Sequence, residues 1–220
     1  IMTSHRIQRS PLSDRLALVT GASAGIGLAC AEELAARGCH LILMARRKER
    51  LAALSDRLQR EYGIRVQSLV CDIANRDEVE AAFKTIEDEL PRVSILVNNA
   101  GLAVGTDPMP SAKFEDWERM IDTNVKGLLL VTRLLLPQLT KRSDAHIVNL
   151  GSVAGRYVYP GGGVYCATKF AVRALTEGLR LDLLGTSVRV TNIEPGMVET
   201  EFSEVRFGGD KDRAKAVYQG

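Results

Sequence analysis

An α/β fold built on one doubly wound parallel sheet, with helices on both faces, is the architecture this sequence predicts. Three observations predict it. Short β-branched or apolar runs alternate with longer helical patterns along the chain, and such alternation pairs strands in parallel through crossover helices. The strand candidates read as near-continuous apolar runs, as strands covered on both sides do. The chain has 220 residues, 45% hydrophobic and 25% charged, which suits a single domain able to bury a core without staples.

Taken in order, strand Leu16–Thr20 runs into a glycine-rich turn and a helix over about Ile26–Arg37. Strand Leu41–Ala45 precedes helix Lys48–Tyr62, and strand Arg65–Val70 precedes helix Arg76–Glu89. Strand Ile95–Val97 is followed by a Gly- and Pro-bearing loop over Gly101–Ser111 and one long helix, Trp117–Thr140. Strand His146–Leu150, helix Tyr165–Leu184, strand Val188–Ile193 and a last helix over Asp210–Gln219 complete the pattern. Glu199–Gly209 shows no clean period and reads as a mobile flap. Residues 1–12 are polar and basic and read as a flexible tail, leaving 13–220 as the domain. No internal repeat, low-complexity tract or linker divides it.

Composition narrows the partners. Net charge is +2, from 29 basic and 27 acidic residues, so neither nucleic acid nor a membrane surface is expected as the main partner. The longest apolar run, Gly127–Pro137, is too short to cross a bilayer. Cys30, Cys39, Cys71 and Cys166 form no CxxC pair and have no histidine cluster; reduced thiols in a cytoplasmic protein, and no metal, are the expectation. Cys30, Cys39 and Cys71 lie in apolar stretches and read as small core residues.

The first strand ends in Thr20-Gly21-Ala22-Ser23-Ala24-Gly25-Ile26-Gly27 and passes directly into a helix read as amphipathic. Glycines let the backbone turn tightly and approach a pyrophosphate with no Cβ in the way. The helix N-terminus adds free N–H groups and the positive end of its dipole. A tight strand-to-helix turn also uses glycine for steric reasons alone. The second strand ends in Met44-Ala45-Arg46-Arg47, with no carboxylate. Dinucleotide-binding folds hold the ribose 2′-hydroxyl of NAD with an acidic residue there, or the 2′-phosphate of NADP with an arginine. Arg46 and Arg47, helped by the Ser23 hydroxyl, can bind a phosphate; they also suit the start of a solvated helix.

A second group carries chemistry. Ser152 closes the fifth strand, and thirteen residues later Tyr165 opens a helix with Lys169 one turn on, so the last two share a face. Reducing a carbonyl needs a hydride at carbon and a proton at oxygen. Free tyrosine titrates near ~10; an adjacent ammonium and a positive nicotinamide both favour the phenolate and lower that value. Tyr165 then serves as general acid or base, and Ser152 holds the substrate oxygen.

These motifs resemble the short-chain dehydrogenase/reductase superfamily, with its Rossmann-type fold, over about residues 12–220 and in the expected order. The first turn matches TGxxxGxG, in which Gly21, Ser23, Gly25, Ile26 and Gly27 would cradle the cofactor, and Ala45 stands where NAD-using members carry aspartate. The resemblance therefore implies NADP. It further implies that Asp72 accepts from the adenine amino group, although the same carboxylate can cap the helix beginning near Asn75. Asn98-Asn99-Ala100-Gly101 matches the NNAG segment; Asn98 would brace the sheet and, with Ala100 and Gly101, line the cofactor cleft. The same stretch can be a plain Asn/Gly turn.

By the same resemblance, Lys169 also holds the nicotinamide ribose, and Asn124 sits in a local helix break whose freed carbonyl holds a water of the proton relay. Otherwise Asn124 is a tolerated surface residue. Glu194-Pro195-Gly196-Met197-Val198-Glu199-Thr200 matches the PG segment, so that Pro195, Gly196, Val198 and Thr200 would contact the nicotinamide end; a plain Pro-Gly turn is the alternative.

More narrowly, Gly155–Lys169 and Ile193–Asp210 resemble the NADP-dependent 3-hydroxy acid dehydrogenases. A carboxylate substrate calls for a cation, with Arg156 and Arg206 as candidates. Relatives run on into a last helix and a seventh, edge strand, for which this sequence provides no residues after Gly220. They also pair their long helices between subunits, which implies a homodimer or homotetramer. A general ketone and aldehyde reductase and a non-catalytic NADP sensor or scaffold are the competing readings; an epimerase or dehydratase would need a longer substrate domain.

Overall fold

A computed structural model describes residues 10–217. The sheet has six parallel strands: β1 (Leu16–Thr20), β2 (His40–Ala45), β3 (Val66–Val70), β4 (Val93–Asn98), β5 (His146–Leu150) and β6 (Arg189–Ile193), in the order β3-β2-β1-β4-β5-β6. The chain winds outward from β1 to β3, returns to β4 beside β1, and winds outward the other way to β6. That doubly wound order opens a crevice at the carboxyl ends of β1 and β4.

Alternate residues of each strand serve opposite layers. Leu16 and Leu18 of β1 face α3 (Arg76–Lys84) and α5 (Leu128–Leu139) through Val79, Phe83, Val131 and Leu135. Ala17 and Val19 face α1 (Gly25–Ala36) and α2 (Lys48–Tyr62) through Ala31, Ala35, Leu51 and Leu54. The buried stripe of α1 is Gly27, Ala31 and Ala35. Small residues at intervals of four let this helix lie close on the sheet, so it presents its smallest side chains inward rather than a large apolar face. Cys39, Cys71 and Cys166 are buried, Cys30 is half-buried, and all four are free thiols.

Several elements differ from the sequence reading. The helix expected over Arg76–Glu89 ends at Lys84: the Thr85 hydroxyl bonds back to the Ala82 carbonyl, and the chain tightens into short turns ahead of Pro91. Trp117–Thr140 is three pieces, α4 (Phe114–Ile121), a π-helical turn (Asp122–Gly127) and α5. The flap segment contains a six-residue helix, α7 (Glu201–Arg206), started by Thr200, whose hydroxyl accepts from the Phe202 N–H. Its single turn and a half is too short for periodicity to register. Helix α6 spans Gly163–Asp182, and α8 covers Lys211–Ala216. Tyr218–Gly220, and the tail reading for residues 1–9, lie outside the described residues. Leu12, assigned to the tail, packs against the α1–α2 layer and accepts a hydrogen bond from Cys39 Sγ. Among the described residues no helix is long and apolar enough to cross a membrane.

Candidate active site

A cavity of about 760 Å³ runs along the carboxyl edge of the sheet. Its floor is the turn after β1. Gly21 and Gly25 have φ of +65° and +54°, the left-handed region that glycine adopts freely. A Cβ on Gly21 would stand 2.9 Å from the Ala100 Cα, and one on Gly25 would stand 3.3 Å from the Thr200 Cβ. The turn is thus pinched between the segments after β4 and β6. Gly27, expected beside a ligand, does not line the cavity. A Cβ there would meet the Gly21 carbonyl oxygen at 2.4 Å and the Asn99 amide at 2.3 Å, so its role is packing beneath the turn.

Asn99, a neighbour of Asn98 in the NNAG-like segment, has no separate role in the sequence reading. Its Nδ2 donates to the Thr20 and Gly21 carbonyls, and its backbone N–H donates to Thr20 Oγ1. It ties β4 to the glycine turn and lines the cavity with Ala100 and Gly101. Asn98 lies one layer deeper, donating to Thr132 Oγ1 and Asn149 Oδ1, both at 2.9 Å. It braces the sheet but does not reach the cleft, because successive strand residues point to opposite faces.

At one end of the cavity stand Ser23, Arg46, Arg47 and Asp72. Arg47 Nε donates to the Ser23 hydroxyl at 3.1 Å and its Nη1 to Glu201 at 2.8 Å. Arg46 pairs with Asp72 at 3.3 Å. Asp72 is not the cap of α3: Asn75 is, accepting from the Asp77 and Glu78 N–H groups, while Asp72 accepts from Arg46 and from the Ala74 N–H just upstream.

At the other end Ser152, Tyr165 and Lys169 line the cavity together. Ser152 hydrogen-bonds the Tyr165 phenol. Lys169 Nζ donates to the Leu150 carbonyl at 2.9 Å and lies 5.9 Å from the Tyr165 ring centroid. The Lys169 ammonium by itself does not acidify the phenol. Burial, opposed by the Ser152 hydrogen bond, pushes Tyr165 up to about 12, and burial pushes Lys169 down to about 8. Desolvation disfavours both charged forms, and the protein alone does not offset it.

Asn124 lies in the π turn and is buried. It holds the Leu102 N–H and carbonyl, each at 2.8 Å, and its amide donates to Thr168 Oγ1 at 3.0 Å. The helix break expected at this position is a π turn, a form often found at functional sites. The side chain is far from a tolerated surface residue: it fastens the loop after β4 to α6. Gly101 threads between them, since a Cβ there would stand 3.2 Å from Asn124 Oδ1 and 3.6 Å from Lys169 Nζ.

Pro195, Gly196, Val198 and Thr200 form the wall after β6. The two arginines offered for a carboxylate separate. Arg156 pairs with Glu194 on the exposed side and does not line the cavity. The expectation for Arg156 is thereby corrected: its carboxylate partner is already in the chain. Arg206, at the end of α7, lines the cavity and donates to the Gly105 carbonyl and the Tyr159 hydroxyl, each at 3.0 Å. Its guanidinium carbon is 5.7 Å from the Tyr165 ring centroid. Its Nη2 is buried with no hydrogen-bond partner among the described residues. Tyr159 and Phe202, also on the cavity wall, carry no signal in the sequence, because a lone aromatic in a loop or short helix belongs to no pattern. No group of three or more His, Cys, Asp or Glu able to hold a metal occurs among the described residues.

Comparison with known proteins gives a consistent picture. The sequence model described as short chain dehydrogenase matches residues 15–209. The NADP-dependent 3-hydroxy acid dehydrogenase YdfG of Escherichia coli (strain K12) is 47% identical over 205 residues, which is 93% of this chain and 81% of that protein. Sulfoacetaldehyde reductase 2 of Chromohalobacter salexigens is 46% identical over 205 residues, with the same 93% and 81% coverage. Among solved structures, the closed form of a serine dehydrogenase complexed with NADP+ superposes with a TM-score of 0.86 at 47% identity, covering 93% of this chain and 82% of that one.

Proposed function

The chain belongs to the short chain dehydrogenase family, and on that premise we propose that it is an NADP-dependent oxidoreductase acting on the CH–OH group of a small 3-hydroxy acid. One observation carries the reading. The Ser152–Tyr165–Lys169 group and the Gly21–Gly25 turn lie in one continuous cleft, with Arg46 and Arg47 at its far end.

The residues fit the coenzyme. Glycines stand where a Cβ would crowd the cleft floor, and guanidinium and hydroxyl donors stand where a 2′-phosphate needs them. When bound, the nicotinamide supplies the hydride acceptor for oxidation and the donor for reduction. Ser152 hydrogen-bonds the substrate oxygen and fixes it beside the Tyr165 phenol, which takes the hydroxyl proton in oxidation and returns it in reduction. Lys169, anchored on the Leu150 carbonyl, would hold the ribose hydroxyls with its remaining N–H groups. Asn124 holds the loop after β4 in register with α6, so the acid–base group keeps its aim.

The Arg206 guanidinium on the cavity wall, its carbon 5.7 Å from the Tyr165 ring centroid, is the feature that favours a carboxylate substrate over a neutral ketone or alcohol. A guanidinium nitrogen in that position gains most from an anionic partner. Exposed apolar residues on α4, α5 and α6, among them Phe114, Leu129, Phe170 and Leu181, support assembly into a homodimer or homotetramer. The four free thiols suit a reducing, cytoplasmic location.

The test is absorbance at 340 nm with NADP and NAD against serine-like and threonine-like hydroxy acids and neutral alcohols of equal size. Higher kcat/KM is expected with NADP and with the acids. A lower KM for NAD than for NADP, or no discrimination against the neutral alcohols, contradicts the proposal.

A further inference from the structure

Glu201 is the first residue of α7, and its carboxylate reaches across the mouth of the cleft to two arginines of the second βα unit. It accepts from Arg47 Nη1 at 2.8 Å and from Arg50 Nη1 at 2.7 Å. Arg47 is the same side chain whose Nε donates to Ser23. Arg47 and Arg50 together hold the Glu201 carboxyl below its ordinary range. An anion therefore already rests on the guanidinium that the proposed coenzyme's 2′-phosphate requires.

We propose that Glu201 is a specificity-determining residue that occupies the place of the coenzyme's 2′-phosphate on Arg47 and yields that guanidinium when NADP binds. The inference rests on the reading of NADP as the coenzyme and of Arg47 as a 2′-phosphate ligand. A phosphate monoester carries about −1.5 to −2 charges at neutral pH against one for a carboxylate, so it takes Arg47, and Glu201 retains Arg50. The exchange is not free of cost. The carboxylate loses one partner and stays near a second anion, and that penalty falls on NADP alone, because NAD has a neutral hydroxyl at the same position. Glu201 thus trims the affinity for the 2′-phosphate while leaving the rest of the dinucleotide untouched. The pair is about four-tenths exposed on both sides, so the effect is of surface ion-pair size.

Adenosine 2′,5′-bisphosphate and 5′-AMP differ only in the 2′-phosphate and bind without turnover. Their dissociation constants are measured by calorimetry at low ionic strength on the wild type, Glu201→Gln and Glu201→Ala. Both variants are expected to bind the bisphosphate roughly three- to fivefold more tightly than the wild type, with 5′-AMP unchanged within about twofold. Added salt shrinks the difference. A bisphosphate affinity that is unchanged or weaker in both variants overturns the inference, since Glu201 would then be idle or would assist the phosphate. If the wild type binds the two nucleotides equally well, the NADP reading itself falls and takes the inference with it. A wild-type preference for the bisphosphate that survives unaltered in the variants removes only the role of Glu201.

Discussion

Lys169 Nζ stands 5.9 Å from the centroid of the Tyr165 ring, yet its hydrogen bond goes to the Leu150 carbonyl at 2.9 Å. The lysine is pinned to the end of β5 rather than to the phenol, and both groups are buried. Each therefore has its charged form disfavoured: the phenol is pushed up to about 12 and the ammonium down to about 8. On the proposed mechanism, the positive charge of the oxidised nicotinamide is what brings the phenol back within reach of neutral pH.

A titration tests that arrangement directly. Tyrosinate absorbance near ~295 nm, taken as the difference between wild type and Tyr165→Phe, reports this one phenol. Without coenzyme Tyr165 should ionise well above an ordinary tyrosine; with oxidised NADP its midpoint should fall. Ionisation below the ordinary value in the coenzyme-free protein would contradict the dominance of burial.

Lys169 costs stability for the sake of function. Its folded pKa of about 8 lies below the unfolded value near ~10.5. Below pH ~8 the unfolded chain solvates the ammonium better than the fold does. Between pH ~8 and ~10.5 the unfolded chain binds more protons, so stability gains with rising pH across that window. Lys169→Met should consequently raise the melting temperature of the coenzyme-free protein at pH 7 while lowering kcat/KM at least about a hundredfold. The thermal advantage should shrink as pH approaches ~10.5. A variant less stable than wild type at pH 7 would mean that the Leu150 hydrogen bond outweighs the buried charge.

The two candidate carboxylate ligands make opposite predictions. Arg206 lines the cavity with its guanidinium carbon 5.7 Å from the Tyr165 ring centroid, whereas Arg156 is paired with Glu194 outside the cleft. Arg206→Ala should raise KM for a hydroxy acid roughly ten- to a hundredfold, the value of a hydrogen bond to a charged group. The same change should leave a neutral alcohol of equal size within about threefold. Arg156→Ala should leave both constants near wild type. Steady-state kinetics on the two variants decides; equal losses for acid and alcohol in Arg206→Ala would reduce Arg206 to a wall residue.

Much of the fold and site is legible in the sequence, and what is not has physical causes. The six strands follow from their apolar runs, clearest in β1 and β4, which are buried along their whole length; the edge strands β3 and β6 are partly exposed, and the order of the strands has no signature in the runs themselves. Ser152, Tyr165 and Lys169 follow from one strand end and one helical turn. The π turn at Asn124 is only hinted at, since asparagine in a helix does not reveal what its side chain will grip. Gly27 reads like the other glycines of its motif, and only the close approach of Asn99 separates packing from binding. Helix α7 reads as irregular because a six-residue element cannot show a period. The meeting of Glu201 with Arg47, across 154 residues of chain, has no local signature at all.

The central claim is that one phenol moves the proton. Tyr165→Phe removes a single oxygen and keeps the ring against Phe202. Turnover at 340 nm should fall about a thousandfold or more, while the dissociation constant for NADP, measured by calorimetry, stays within about twofold of wild type. Turnover within tenfold of wild type, with coenzyme binding intact, would contradict that claim.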